Sequence, residues 1–211
     1  VAVTFDDGFK NNYDIAAEIL DFYKVPATFY ISTAYIEKKK MFWVDILEDI
    51  FNNKIKEKIE IKLNEKLTLD TSSKSKKIYA LNYVKRYCKN SLFKDKQRVL
   101  NNLIKKYNFK NKTSINNSYN YLPMSWNNLI DLDNNKNFII GGHSHHHEIL
   151  SNLPNNLMKK EVTQCLNLLS TKLKKKIQHF SYPEGLPQHF NINVIRFLKK
   201  NGITTCPTAI N

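Results

Sequence analysis

Residues 138–147 read Phe138-Ile139-Ile140-Gly141-Gly142-His143-Ser144-His145-His146-His147. The first three residues form an apolar, β-prone run suited to a buried strand. The two glycines let the chain turn or lie close to a neighbour. Four histidines then follow within five residues. A strand that runs straight into a set of imidazoles belongs at the C-terminal edge of a parallel sheet, where α/β folds gather their chemistry.

The segments on either side repeat that arrangement. Residues 1–5 read as an apolar strand ending in Asp6-Asp7-Gly8. Residues 12–23 place Ile15, Ile19 and Phe22 on one helical face, and Val25-Pro26 stops that helix. Residues 27–31 are a second strand, and 177–182 form another that ends at Pro183-Glu184-Gly185. Between the last two strands, residues 156–175 carry Met158, Val162, Cys165, Leu169 and Leu173 at helical spacing. Ser125 is placed to cap a helix holding Trp126, Leu129 and Ile130. A helix over 192–200 closes at Asn201-Gly202, and residues 203–206 begin a further strand. Strands alternating with helices imply an α/β fold with a parallel sheet or barrel.

Composition narrows the function classes. Apolar residues make up 42%, so a packed core is expected, and five glycines with six prolines disfavour a turn-rich all-β fold. Cys88, Cys165 and Cys206 are odd in number and far apart, which gives no disulfide framework or CxxC knuckle. No stretch approaches the roughly 18–20 apolar residues of a membrane helix. No secretory signal is visible, and a chain that opens inside a strand is expected to lack its natural beginning. The charge of +14 suggests a nucleic-acid partner until its distribution is read. Residues 38–121 hold 21 Lys and Arg against 8 Asp and Glu, a net of +13, and the remainder nets only +1. This lysine- and asparagine-rich block breaks the strand–helix rhythm. It reads as a helical insertion, with helices near 42–50, 76–88 and 94–107. Tyr79, Tyr83 and Tyr87 within it suit a stacking row or the packed face of a helix.

Three motifs carry the chemistry. Asp6-Asp7-Gly8 at a strand end is a turn on the plain reading. With Gly8 reversing the chain, it can also bring two carboxylates into one site. His143 and His147 are the one i, i+4 histidine pair, and on a helical turn they could grip a single divalent ion beside a carboxylate. Ser144 could fasten that loop through backbone hydrogen bonds, with His145 and His146 exposed or in support. Phe180-Ser181-Tyr182-Pro183-Glu184-Gly185 reads alone as an ordinary turn.

Together, Thr4-Phe5-Asp6-Asp7-Gly8, His143-Ser144-x-x-His147 and Phe180-Ser181-Tyr182-Pro183-x-Gly185 resemble the polysaccharide deacetylases of the NodB-homology type, carbohydrate esterase family 4. Tyr23 to Tyr30, and Ser125-Trp126 with Leu129, are similar to further family segments. The resemblance covers residues 1–36 and about 122–211. Ser181 stands where many members carry Arg, and Glu184 stands at their aromatic position. This matches the branch with a Phe-Ala-Tyr-Pro version, which includes poly-N-acetylglucosamine deacetylases. The family's Leu-x-His motif is not recognisable before residue 211, and neither His179 nor His189 sits in matching context.

The resemblance implies a distorted (β/α) barrel of roughly seven strands spanning residues 1–211, with 38–121 inserted. It implies a divalent ion, Zn²⁺ by ligand type, on Asp7, His143 and His147, with Asp6 as general base. Tyr182 and Glu184 would line the oxyanion and substrate position, through the Glu184 backbone N–H. The partner is an acetylated glycan such as an N-acetylglucosamine polymer. No nucleic acid is expected, and weak membrane association of the basic block stays open. The alternatives are a family member that binds glycan without turnover and, behind it, an anionic-polymer or nucleic-acid binding module.

Overall fold

The computed structural model describes residues 2–110 and 119–210. Stretch 111–118 of the expected insertion lies outside the described residues. The chain forms two compact units, one of residues 1–40 with 115–211 and the other of residues 41–114.

The first unit is built on a parallel sheet of β1 (Val3–Phe5), β2 (Ala27–Ile31) and β5 (Phe138–Gly142), with β2 in the centre. Val3 pairs with Ala27, and Ala27 in turn with Phe138, so the strand ends carrying Asp6 and His143 fall on one edge. The sheet continues through two parallel bridges, Gly142 to Phe180 and His179 to Thr205. The strands expected over 177–182 and 203–206 are thus reduced to single bridges, giving five parallel positions among the described residues.

Glycine makes the close pairing at β5 possible. A Cβ on Gly141 would lie 2.6 Å from the Tyr30 ring and 2.9 Å from the His179 carbonyl oxygen. One on Gly142 would lie 2.9 Å from the Phe180 ring and 3.1 Å from Cys165 Sγ.

Helices pack on this sheet around Phe29, Ile31, Ile140, Leu129, Val162, Cys165, Leu169 and Phe180. Each fully buried side chain of this kind contributes about 1.5–3 kcal/mol. The helix of residues Trp126–Asn134 has the expected cap: Ser125 Oγ accepts from Asn128 N, and Asn128 Oδ1 accepts from Ser125 N. Residues Asn155–Leu173 form the long amphipathic helix and Ile192–Lys200 the last one.

One helical face differs from expectation. Ile15, Ile19 and Phe22 are 54%, 53% and 76% exposed, while Ala17, Tyr13 and Leu20 meet the core. Residues Asn12–Ala17 are π-helical, and only Glu18–Phe22, here α1, is α-helical. The wider i→i+5 turn shifts the phase that a 3.6-residue period assumes. Residues Thr33–Lys38 form the next helix, α2.

The second unit holds α3 (Trp43–Asn53), α4 (Lys74–Asn90) and α5 (Phe93–Lys106), close to the helices read from sequence. It also holds an antiparallel hairpin that the reading missed, β3 (Lys58–Lys62) with β4 (Lys66–Asp70). Ile59 and Ile61 point into the unit's core while Lys58, Glu60 and Lys62 point out. On α4 the buried face is Ala80, Val84 and Cys88. Tyr79 and Tyr83 are 67% and 44% exposed, so these two members of the aromatic row do not pack inward, while Tyr87 is half-buried. No helix among the described residues is long and apolar enough to cross a membrane. The helices Trp126–Asn134, Asn155–Leu173 and Ile192–Lys200 are α6, α7 and α8 below.

Candidate functional site

The site forms where β1, β2 and β5 end. After β1 the backbone enters the left-handed region at Asp7 (φ 76°) and Gly8 (φ 95°), and Gly8 N–H donates to the Asp6 carbonyl at 2.9 Å. Strand alternation would send Asp6 and Asp7 to opposite faces; this turn brings both to His143. The His143 Nε2 atom is 3.6 Å from Asp7 Oδ1 and 3.7 Å from Asp6 Oδ2, and His147 Nε2 is 3.3 Å from Asp7 Oδ1.

Asp7, His143 and His147 each offer one ligand atom, and these atoms lie within 4.8 Å of one another. Ligands about 2.0–2.1 Å from a tetrahedral zinc stand about 3.4 Å apart, so the two Asp7 separations are of the right size. Asp7 Oδ1 is a buried acceptor that accepts no hydrogen bond among the described residues. Burial pushes the Asp7 carboxyl up to about 6; His143 works against the rise, and Asp6 and Glu184 add to it. A cation at this position would relieve that cost, and the donor set fits a divalent ion.

His143 is prepared as a neutral donor. Its Nδ1 lies 2.9 Å from the Ser181 carbonyl, which can only accept, so Nδ1 carries the proton and Nε2 the lone pair. Burial, followed by the nearby His147, holds its pKa below the ordinary value.

The histidine loop is fastened by groups the sequence reading did not single out. Ser32 Oγ donates to the His143 carbonyl at 2.8 Å, and the N–H groups of Thr33 and Ala34 donate to the carbonyls of Ser144 and His145. Thr33 Oγ1 pairs with His145 Nδ1 at 2.8 Å. On α7, Glu161 Oε2 accepts from the backbone N–H groups of His145 and His146 at 3.0 and 2.7 Å, and its Oε1 meets His146 Nδ1 at 2.7 Å. Burial acts to raise the Glu161 pKa, but the hydrogen bonds and charge of His146 hold it below the ordinary carboxyl value.

One expectation for this loop is corrected and another is narrowed. Ser144 does not fasten it through its side chain: Ser144 Oγ is buried and has no hydrogen-bond partner among the described residues. His145 is buried and His146 half-buried, so of the two alternatives for them exposure is ruled out, and their contacts with Thr33 and Glu161 agree with the supporting one. Burial, then the charge of His146, pushes His145 down to about 4.

The third motif contributes unevenly. Ser181 Oγ donates to Asp6 Oδ2 at 3.3 Å, so a hydroxyl now orients the carboxylate where Arg stands in much of the family. Glu184 is half-buried at φ 67° and near enough to act on Asp7. Tyr182, expected at the substrate position, is a core residue stacked on Phe190 with ring centroids 4.3 Å apart. Burial, followed by a hydrogen bond with Cys206, raises its hydroxyl pKa. His189 is buried against the Leu186 N–H, and His179 is bridged to Thr205.

The parallel α/β domain thus brings carboxylates and imidazoles together at its strand ends, as a set of donors suited to a divalent ion. The polysaccharide deacetylase family model matches residues 1–63 and 71–206, and the chain belongs to that family. No curated protein matches the chain in sequence. Solved structures share its fold. IcaB from Ammonifex degensii aligns at 15% identity and a TM-score of 0.54, over 99% of this chain and 59% of that one. The Streptococcus pyogenes deacetylase PplD, in complex with acetate, aligns at 12% and 0.52, over 96% and 52%. The BpsB deacetylase domain from Bordetella bronchiseptica aligns at 13% and 0.52, over 97% and 62%. The chain thus spans only about half to three fifths of these proteins.

Proposed function

We propose that this chain is the catalytic part of a metal-dependent deacetylase that removes N-acetyl groups from a glycan, with O-acetyl groups the alternative target. The observation carrying this reading is the convergence of Asp7, His143 and His147 ligand atoms within 4.8 Å, with the Asp6 carboxylate alongside. Asp7, His143 and His147 would hold the ion, Zn²⁺ by ligand type. When bound, zinc supplies a Lewis acid that lowers the pKa of water towards about 7 and polarises an acetamide carbonyl.

The chain's own residues do the rest. Asp6, more exposed than Asp7 and steadied by Ser181, takes the proton of the attacking water as general base. The Glu184 backbone N–H, on a left-handed turn beside Asp7, donates to the developing oxyanion. Tyr182 acts through packing, holding that turn against Phe190. Acetate leaves and an amino sugar remains.

The Phe-Ser-Tyr-Pro form of the third motif supports a substrate of the poly-N-acetylglucosamine kind. We assign the catalytic domain to residues 1–211 with 38–121 inserted, and read the five parallel positions as part of a seven-stranded barrel. The replacement of Arg by Ser181 also supports a second reading, a family member that binds glycan without turnover. Acetate release from a chitooligosaccharide by the full-length, zinc-loaded protein tests the choice. Release is expected, and binding without release would establish the second reading.

A further inference from the structure

Among the buried residues of α7 are Met158, Val162, Cys165, Leu166 and Leu169, and the one charged member is Glu161. A carboxylate on an apolar helix face costs free energy unless its oxygens are satisfied. Here they are satisfied by the histidine loop. The N–H groups of His145 and His146, two of the three residues between His143 and His147, converge on Oε2, and Oε1 takes the His146 ring.

The loop needs such a hold. Ser144 and His147 have φ of 60° and 56°, a left-handed backbone that non-glycine residues adopt at a cost and keep only when the surroundings enforce it. Those two turns set where the imidazoles of His143 and His147 point. The Ser32, Thr33 and Ala34 contacts fasten the loop's carbonyls and the His145 ring from one side. Glu161 alone among the described residues fastens the His145 and His146 N–H groups from the other.

We infer that Glu161 is a positioning residue: its carboxylate clamps the strained loop and thereby fixes the spacing of the His143 and His147 donors toward the metal. This rests on the metal-binding reading above. Glu161 touches neither ligand ring, so its effect is read in metal affinity and not only in turnover.

The test is calorimetric titration of ZnCl₂ into the metal-free full-length protein and into Glu161→Gln, Glu161→Asp and Leu169→Ala. Glutamine keeps the shape but loses the charge and turns one oxygen into a donor. Aspartate keeps the charge but shortens the reach, and it serves if the glutamine variant does not fold. Leu169→Ala opens a cavity in the same helix far along the stripe and controls for general destabilisation. The expected result is one zinc per chain throughout, with affinity about tenfold to a hundredfold weaker in the Glu161 variants and unchanged in Leu169→Ala. Amide hydrogen exchange at His145 and His146 should accelerate in the Glu161 variants alone. Wild-type zinc binding with equal affinity in a folded Glu161 variant overturns this inference and leaves the proposed function standing. A wild-type protein that takes up no zinc overturns both.

Discussion

Asp6 and Asp7 are consecutive residues, yet both carboxylates stand within 3.7 Å of His143 Nε2. The shared approach leaves them in different surroundings. Asp7 Oδ1 is buried and without a hydrogen bond among the described residues, while Asp6 is exposed and accepts from Ser181. Asp6→Asn should therefore keep one zinc per chain and lose about 10²–10⁴-fold in acetate release, whereas Asp7→Ala should lose the zinc itself. Full turnover in Asp6→Asn would take the base role from that residue. Protonation adds a second test. The unfolded chain protonates His145 near pH 6.5, the folded chain only at about 4. Between those values the unfolded state binds more protons, so this residue's contribution to stability falls as the pH drops through that window. Asp7, raised to about 6, has the opposite sign: its contribution is present at low pH and is lost as pH rises towards 6. Comparison with His145→Gln isolates the histidine. The stability advantage of wild type over the variant should shrink by on the order of 1–2 kcal/mol from pH 7 to pH 4.5, after allowing for screening. Denaturant unfolding at both pH values measures this, and a constant difference would count against it. The aspartates and the histidine pair were readable because residue type, spacing and strand-end position coincide. Ser32, Thr33 and Glu161 were not, and Ser181 was legible by position but not by its contact with Asp6, because these roles arise from chain segments that meet only in the fold. Glu161 did leave one trace, as a carboxylate three residues from Met158 and four from Cys165 on an apolar stripe.

The β5 strand and its neighbours show how packing delivers the histidines. Gly141 and Gly142 let residues 179–180 approach so closely that the Gly142 N–H reaches the His179 carbonyl at 2.9 Å. A methyl group at Gly141 meets a ring and a backbone oxygen, and one at Gly142 meets the fully buried Phe180. Neither obstacle is a flexible side-chain end. Gly141→Ala and Gly142→Ala should each destabilise the protein by about 1–3 kcal/mol through overpacking. Gly142→Ala, adjoining His143, should also weaken zinc binding; thermal unfolding and zinc titration read the two effects, and an unstrained Gly142→Ala protein would show that Phe180 can yield. At this scale the long stripe of α7, the Ser125 cap and the Asn201-Gly202 stop were plain in the sequence because each is a local signal. The exposed face of α1 was misread, since a π-helical stretch shifts the phase without any signature in residue type. The β3–β4 hairpin was missed because Lys58-Ile59-Glu60-Ile61-Lys62 alternates correctly inside a segment so rich in lysine that its composition hid the period.

At the scale of the whole chain, chemistry and charge are segregated. Asp6, Asp7, His143 and His147 all belong to the unit of residues 1–40 and 115–211, while residues 38–121 carry a net +13. The second unit, residues 41–114, has its own core of Ile46, Leu47, Ile50, Ile59, Val84, Val99 and Leu103. Its outer surface is lysine-rich, with Tyr79 and Tyr83 exposed and their ring centroids 6.4 Å apart. Surface residues of this kind contribute little to stability, so Tyr79→Ala with Tyr83→Ala should change unfolding free energy by less than about 1 kcal/mol. Charges on a solvated face attract an anionic polymer over about 8–10 Å and are screened by salt. Surface elaborations of this kind generally tune substrate or partner choice more than the chemical step, and that is the role we propose for it. Replacing residues 44–116 with a short Gly-Ser linker should accordingly leave one zinc per chain and nearly unchanged acetate release from short oligomers. Release from long polymers should fall, and the remaining activity should depend less on salt. Loss of zinc from a shortened protein that still folds would mean that the basic unit helps to build the site, and its peripheral role would have to be abandoned.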